Sequence, residues 1–251
     1  MQNQISLMNL FELGTHRGNS KPQVNARLRS RIHSYKSGIS IINLVDTISR
    51  IDECSQFLYE IGKKGKQILL VGTSKHIRDT LPELSTKYTP VPLPYINRRW
   101  LGGTLTNWLT IKKTLKSLEK FEKIKENANF FKGLARNEQL NINKEIERMS
   151  KFFAGLKTLK NNKPGAIFVF DISNNPIGVK EAELMDVPII GLTNTKSSVL
   201  PSDIERLIVC NYNSVKSVEF IVDRLLSSYQ KGLNEKSEVP IKPEINKINS
   251  K

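Results

Sequence analysis

Acidic side chains are scarce in this sequence. Against 39 Lys and Arg stand only 24 Asp and Glu in 251 residues, a surplus of +15. A field of that sign draws polyanions, and the usual polyanion partner is nucleic acid. Cysteine is nearly absent. Cys54 and Cys210 stand far apart, which excludes a disulfide framework or a cysteine metal centre and fits two small apolar residues in a reducing compartment. Histidine is limited to His16, His33 and His76. There is no H-x-x-x-H pair, no G-x-S-x-G elbow and no Cys–His spacing, so no metal, no cofactor and no enzyme activity are expected. Apolar runs fall short of the ~18 residues of a membrane span, and no membrane partner is expected. Met1 to Leu10 has neither a basic segment followed by an apolar one nor Arg- and Ser-rich amphipathic character. Neither a secretory leader nor a transit peptide is expected there, and the protein is expected to act in the compartment where it is made.

What is present is a regular alternation. Ile5 to Leu13 reads as a short helix closed by Gly14. Thr15 to Gly38 holds Arg17, Lys21, Arg27, Arg29, Arg31 and Lys36, two His and no carboxylate. Like charges so crowded repel one another unless an anion sits among them. Ile39 to Leu44 reads as a buried strand. A helix capped by Asp46 or Thr47 follows, with Ile48, Ile51, Leu58 and Ile61 on one face and Gly62 and Gly65 at its end. Gln67 to Val71 is a second strand and Lys75 to Ser85 a helix; Pro90, Pro92 and Pro94 then allow at most an edge strand. The rhythm returns with strands at Ala166 to Phe170, Pro188 to Leu192 and Leu207 to Cys210, and helices at Pro176 to Met185 and Ser214 to Ser228. Strands alternating with helices in this way predict an α/β fold, a parallel sheet covered on both faces. The polar tail from Lys231 to Lys251 is expected to be disordered.

The two halves are separated by apolar seams without a strand between them. Trp108, Ile111, Leu115 and Leu118 form one, and Ile142, Ile146, Met149, Phe153 and Leu156 the other. Seams spaced by three and four residues predict two long helices, turned back on each other by a loop over Asn127 to Arg136 as an antiparallel coiled-coil hairpin. Lys112, Lys113, Lys116, Lys120, Lys123 and Lys125 stud the first helix, either as a solvated face or as a surface that touches RNA.

Two local features bear on function. Gly72-Thr73-Ser74-Lys75 follows a strand and opens a helix, where amides can meet a phosphate, but its spacing fits neither nucleotide-binding glycine motif. A tight turn is the first reading there; the alternative is an α/β enzyme binding a phosphorylated small molecule. Asp171 follows a strand and reads as a turn or helix cap rather than a catalytic carboxylate. The second feature is Asn97-Arg98-Arg99-Trp100-Leu101-Gly102-Gly103-Thr104-Leu105-Thr106-Asn107-Trp108. Paired arginines engage phosphates, and the Trp100 ring is open to base stacking or to anchoring the helices; Trp108 belongs to the apolar seam.

This segment closely resembles the R-W-L-G-G-x-L-T-N-W signature of the bacterial-type small-subunit ribosomal protein S-two family. Ile41-Ile42-Asn43-Leu44, Ile68-Leu69-Leu70-Val71-Gly72-Thr73, Phe168-Val169-Phe170-Asp171, Ile177 to Glu181-Ala182 and Val187-Pro188-Ile189 match it in order and spacing, from about Leu10 to Leu226. The resemblance implies a Rossmann-like parallel sheet with an inserted coiled-coil hairpin. It implies a place on the ribosome of a bacterium, or of an organelle encoding its own ribosomal proteins. The implied partners are small-subunit ribosomal RNA and neighbouring proteins, among them the messenger-binding ribosomal protein S-one. Where the family has H-F-G-H this chain has Glu12-Leu13-Gly14-Thr15, and W-N-P-K-M is reduced to Asn19-Ser20-Lys21-Pro22-Gln23. V-D-T-N becomes Leu192-Thr193-Asn194-Thr195 and N-D-D becomes Asn211-Tyr212-Asn213. Two histidines and three acidic positions are thus neutral or missing, and no inherited cation site is carried over.

The expected organisation is a basic RNA-contacting extension over 1–38, an α/β core over 39–103 and 160–230, a helical hairpin over 104–159 and a tail over 231–251. RNA, not DNA, is the expected partner. The residues expected to contact it are Arg17, Lys21, Arg27, Arg29, Arg31, Lys36, Arg98, Arg99 and Trp100, with Lys112, Lys113 and Lys116 as weaker contributors.

Overall fold

The structure is a computed structural model that describes residues 5–201 and 206–238, less the side chains of His76 and of residues 236–238. Helix α1 (Leu7–Glu12) is capped by the Ser6 hydroxyl, which accepts from the Met8 amide. The basic stretch that follows is folded. Strand β1 (Arg17–Ser20), 3-10 turns at Lys21–Gln23 and Ala26–Arg31, and β2 (Ile32–Lys36) lead into β3 (Ile39–Ile42). The strand expected over Ile39 to Leu44 therefore forms, but not in the parallel sheet. It is the centre of a separate antiparallel sheet of order β1-β3-β2.

Helix α2 (Leu44–Lys63) is capped by Asn43, whose side chain accepts from the Val45 amide, and not by Asp46 or Thr47. It buries Ile51, Leu58 and Ile61. Strand β4 (Ile68–Val71) leads into α3 (Lys75–Arg78) and α4 (Leu81–Lys87), so the single helix expected here is broken in two. Strand β5 (Tyr95–Ile96) is the short edge strand that the prolines allow. Helices α5 (Trp108–Glu126), α6 (Ala128–Gly133) and α7 (Arg136–Phe153) follow, a helix standing where a loop was expected. Helix α5 packs on α7. Its Ile111, Leu115 and Leu118 are buried, whereas no residue of α7 is. Strand β6 (Ala166–Val169), α8 (Pro176–Leu184), β7 (Ile189–Thr193), β8 (Leu207–Val209) and α9 (Val215–Glu238) complete the described residues. Helix α9 takes in the first part of the expected tail; 239–251 lies outside the described residues.

The main sheet is five parallel strands in the order β5-β4-β6-β7-β8. Strands β4, β6, β7 and β8 are buried on both faces, as continuous apolar runs require in a sheet sandwiched by helices. Ile68, Leu70, Phe168, Ile190 and Ile208 pack on one face against α2, α4 and α9. Leu69, Val71, Ile167, Val169 and Leu207 pack on the other with Trp100, Leu105, Val179, Ile111 and Leu115. Leu28 and Ile42, from the N-terminal segment, belong to that second cluster. The fold is α/β and Rossmann-like.

Candidate nucleic-acid interface

Parallel strands place all their carboxyl ends, and the turns that follow them, on one edge. The N-terminal segment is laid along that edge. Beyond β8, Asn211 Nδ2 donates to the Gly14 carbonyl (3.1 Å), Ser214 Oγ to the Leu13 carbonyl (2.9 Å), and Thr15 Oγ1 lies 2.7 Å from Ser217 Oγ. Beyond β7, the Asn19 amide donates to Thr195 Oγ1 (2.8 Å) and Asn25 Nδ2 to the Ser197 carbonyl (2.7 Å). These turns thus hold the basic sheet by uncharged hydrogen bonds.

The glycine-rich segment between β5 and α5 is organised by one carboxylate. Glu181, on α8, is buried and accepts five hydrogen bonds. Oε1 takes Trp100 Nε1 at 3.0 Å and the Gly103 amide at 2.7 Å. Oε2 takes the Leu105 amide at 3.0 Å, and the Thr106 amide and hydroxyl at 3.3 Å each. Burial alone would raise the pKa of this carboxyl, but hydrogen bonds from Leu105, Trp100, Gly103 and Thr106 outweigh it and hold the pKa below the ordinary value. One turn earlier on α8, Gly178 leaves room for the indole: a Cβ there would lie 2.8 Å from Trp100 Cε3. Helix α8 therefore supplies a space and an anion one turn apart, and the loop closes on both.

With this geometry in view, comparison with known families is decisive: the family model described as Ribosomal protein S2 matches residues 10–232. The chain belongs to the ribosomal protein S2 family. It is accordingly a structural protein of the small ribosomal subunit, from a non-enzymatic family, and its setting is the ribosome, among ribosomal RNA and other ribosomal proteins. No described helix is long and apolar enough to cross a membrane.

In this S2 protein, Trp100 is only 4% exposed and spent on Glu181 and Gly178. With so little of the ring exposed, the structure gives it the role of an anchor for the loop and not the open face expected for base stacking. Trp108 is half-buried against the second core cluster. Arg31 is corrected too. It is 8% exposed, and Nη1 donates to both Asp46 oxygens at 2.9 and 2.7 Å, so it ties the basic sheet to α2. The remaining expected contacts, Arg17, Lys21, Arg27, Arg29, Lys36, Arg98, Arg99, Lys112, Lys113 and Lys116, are exposed. None of them forms an ion pair with a carboxylate among the described residues. Arg27 Nη2 reaches the Pro201 carbonyl at 3.3 Å, and Lys21 Nζ stands 5.4 Å from the centre of the Tyr35 ring.

The turn after β4 gives a phosphate cradle no support. The Gly72 amide donates to the Ile96 carbonyl, and the helix beyond has only four residues, so the tight-turn reading is the one with a physical basis. Asp171 caps the 3-10 turn at Ile172–Asn174 by accepting from the Ser173 amide. Burial pushes its pKa up, against hydrogen bonds from Ser173 and Asn174. Among the described residues no cluster of three or more His, Cys, Asp or Glu could hold a metal ion. Glu181 is the functional residue that charge-based reading misses. It lies within the matched Ile177 to Ala182 segment, but nothing in its spacing marks a carboxylate as buried.

Proposed function

We propose that this S2 protein holds small-subunit ribosomal RNA by phosphate contacts from two surfaces. One is the N-terminal sheet, with Arg17, Lys21, Arg27, Arg29 and Lys36. The other is the Arg98–Arg99 pair, extended along α5 by Lys112, Lys113 and Lys116. The observation that carries this reading is ten exposed cations on folded backbone with no carboxylate partner among the described residues. Fixed cations without counter-charges recognise the shape and backbone of an RNA helix rather than its bases. Docking of the messenger-binding ribosomal protein S-one is part of the proposal. Leu7, Met8 and Phe11 on α1, each about half exposed or more, offer an apolar face to such a neighbour. The ribosome is that of a bacterium or of an organelle that makes its own ribosomal proteins.

The test is sedimentation of a tagged copy from lysate, at low salt and after a high-salt wash. Comigration with small subunits that survives moderate salt and is lost on RNase treatment is the expected result. A protein confined to the free fraction, with no RNA attached, refutes the proposal.

A further inference from the structure

The carboxyl edge of the main sheet is not covered uniformly. The N-terminal segment closes it beyond β8 and β7, and next to it the turn after β6 is tied to the turn after β7 by the bond from Ser173 Oγ to Ser197 Oγ (3.0 Å). Beyond that point, where β4 and β6 lie side by side, a crevice of about 350 Å³ stays open. Strand β4 is followed by a neighbour on one side and β6 by a neighbour on the other. The turns that leave them diverge, and in open parallel sheets this is where ligands lodge.

The walls of the crevice differ in character. The segment after β5 contributes Arg98 and Arg99, exposed and without a carboxylate partner among the described residues. The start of α8 contributes Pro176 and Ile177, the latter 45% exposed. Thr73 and Asn174 supply polar groups, and no Asp or Glu among the described residues lines the space. The arginine pair has a fixed base, since Trp100 directly follows it and is clamped to Glu181. A volume at the bottom of the ~300–1,000 Å³ range of small-molecule sites holds one nucleotide rather than two.

We propose that this crevice binds a single nucleoside phosphate, the phosphate on Arg98 and Arg99 and the nucleoside against Ile177 and Pro176. The nucleotide is either one splayed out of ribosomal RNA or a free mononucleotide, and no reaction on it is implied. The inference rests on the RNA-binding reading above, but it assigns the site one nucleotide instead of a run of backbone.

The experiment uses the full chain and has two arms. In the first, adenosine and uridine 5′-monophosphate, the two nucleosides and inorganic phosphate are titrated calorimetrically. Saturable binding of the monophosphates but not of the nucleosides supports the site for free nucleotides. In the second, small subunits carrying the protein are photo-crosslinked and digested. A mononucleotide adduct on a peptide containing Arg98–Arg99 or Ile177 supports the site for RNA. Arg98→Ala and Arg99→Ala should each weaken the signal about tenfold, the size of one lost charge-assisted contact. Ile177→Glu should abolish it by placing a carboxylate in the crevice. Lys132→Ala, an exposed cation on α6 outside both proposed surfaces, should leave it unchanged. All four residues are exposed, and melting curves of the variants check the fold. The absence of both calorimetric binding and a crevice adduct overturns the inference, as does a signal indifferent to all three crevice variants. If the protein still sediments with small subunits in that event, the RNA-binding proposal stands and only the crevice assignment falls.

Discussion

Glu181 offers the sharpest test of how this protein is held together. In Glu181→Ala, the Leu105 amide and the Trp100 indole N–H are left buried with no acceptor, while the Thr106 groups can turn to water. Each stranded donor costs about 1–3 kcal/mol. Adding the lost bond from Gly103, the expected destabilisation is ~3–5 kcal/mol, a large share of the ~5–15 kcal/mol that holds a domain together. Glu181→Gln keeps the shape but not the chemistry. One of its two positions remains an acceptor and can serve Trp100 and Gly103; the other becomes an NH2 facing the Leu105 and Thr106 donors. The expected cost is about 2–3 kcal/mol, or a melting temperature lower by ~4–12 °C. Urea unfolding measures this as a lower midpoint at unchanged slope. The pH dependence gives a second readout. A carboxyl whose pKa is lowered on folding adds stability above its unfolded pKa, and that stability is lost as pH falls through the folded pKa. The gap between wild type and Glu181→Gln should therefore narrow in acid. Asp171, whose raised pKa works in the opposite sense, is present in both proteins and cancels. If both variants unfold within ~0.5 kcal/mol of wild type, as surface substitutions do, the loop is not organised by this carboxylate, and other contacts must hold the signature segment in place.

Three further outcomes are expected. Arg31→Ala should destabilise the protein by ~1–2 kcal/mol in urea, by removing both charge-assisted bonds to Asp46, which keeps Arg50 Nε at 3.7 Å. It should leave the salt dependence of RNA binding unaltered, whereas Arg27→Ala with Arg29→Ala should flatten that slope by about 1.4–1.8 units. Gly232→Ala places a Cβ 2.1 Å from the Tyr59 carbonyl oxygen where α2 crosses α9; the helices must part, and a loss of ~1–3 kcal/mol in thermal unfolding is expected. Burial, with a smaller push from Asp171, raises the Cys210 thiol to about 12, and Cys54 is equally buried. Both should resist a thiol reagent at neutral pH and react together once the chain is unfolded, and rapid native labelling of Cys210 would contradict its placement.

The apolar strands are readable because burial on both faces leaves a run without polar interruption. Gln67 to Val71 and Ala166 to Phe170 could hardly be anything else. Strands β1 and β2 are not readable, since Arg-Gly-Asn-Ser and Ile-His-Ser-Tyr-Lys show no alternation. They are strands because Ile39–Ile42 pairs with both. A charged residue inside a basic run looks the same whether it faces solvent or a carboxylate fifteen positions on, so sequence alone groups Arg31 with Arg27 and Arg29. Trp100 is open to either role for the same reason: an indole suits a base and a buried acceptor alike, and its acceptor lies 81 residues away. The arginine pair beside it is legible because nothing acidic stands close to it in sequence, and among the described residues nothing acidic lines its crevice in the fold.

The strand order has a consequence for how the chain is made. Strand β4 pairs along its whole length with β6, yet α5, α6 and α7 are synthesised between them, and 94 residues separate Val71 from Ala166. At ~5–20 residues per second, a ribosome takes about 5–20 s to deliver the partner. Throughout that interval Ile68–Val71, buried at every position in the finished fold, has only the two residues of β5 beside it. Newly made copies therefore pass through a stage with an open, apolar sheet edge, and it is then, before any RNA is met, that this protein most needs a chaperone's cover.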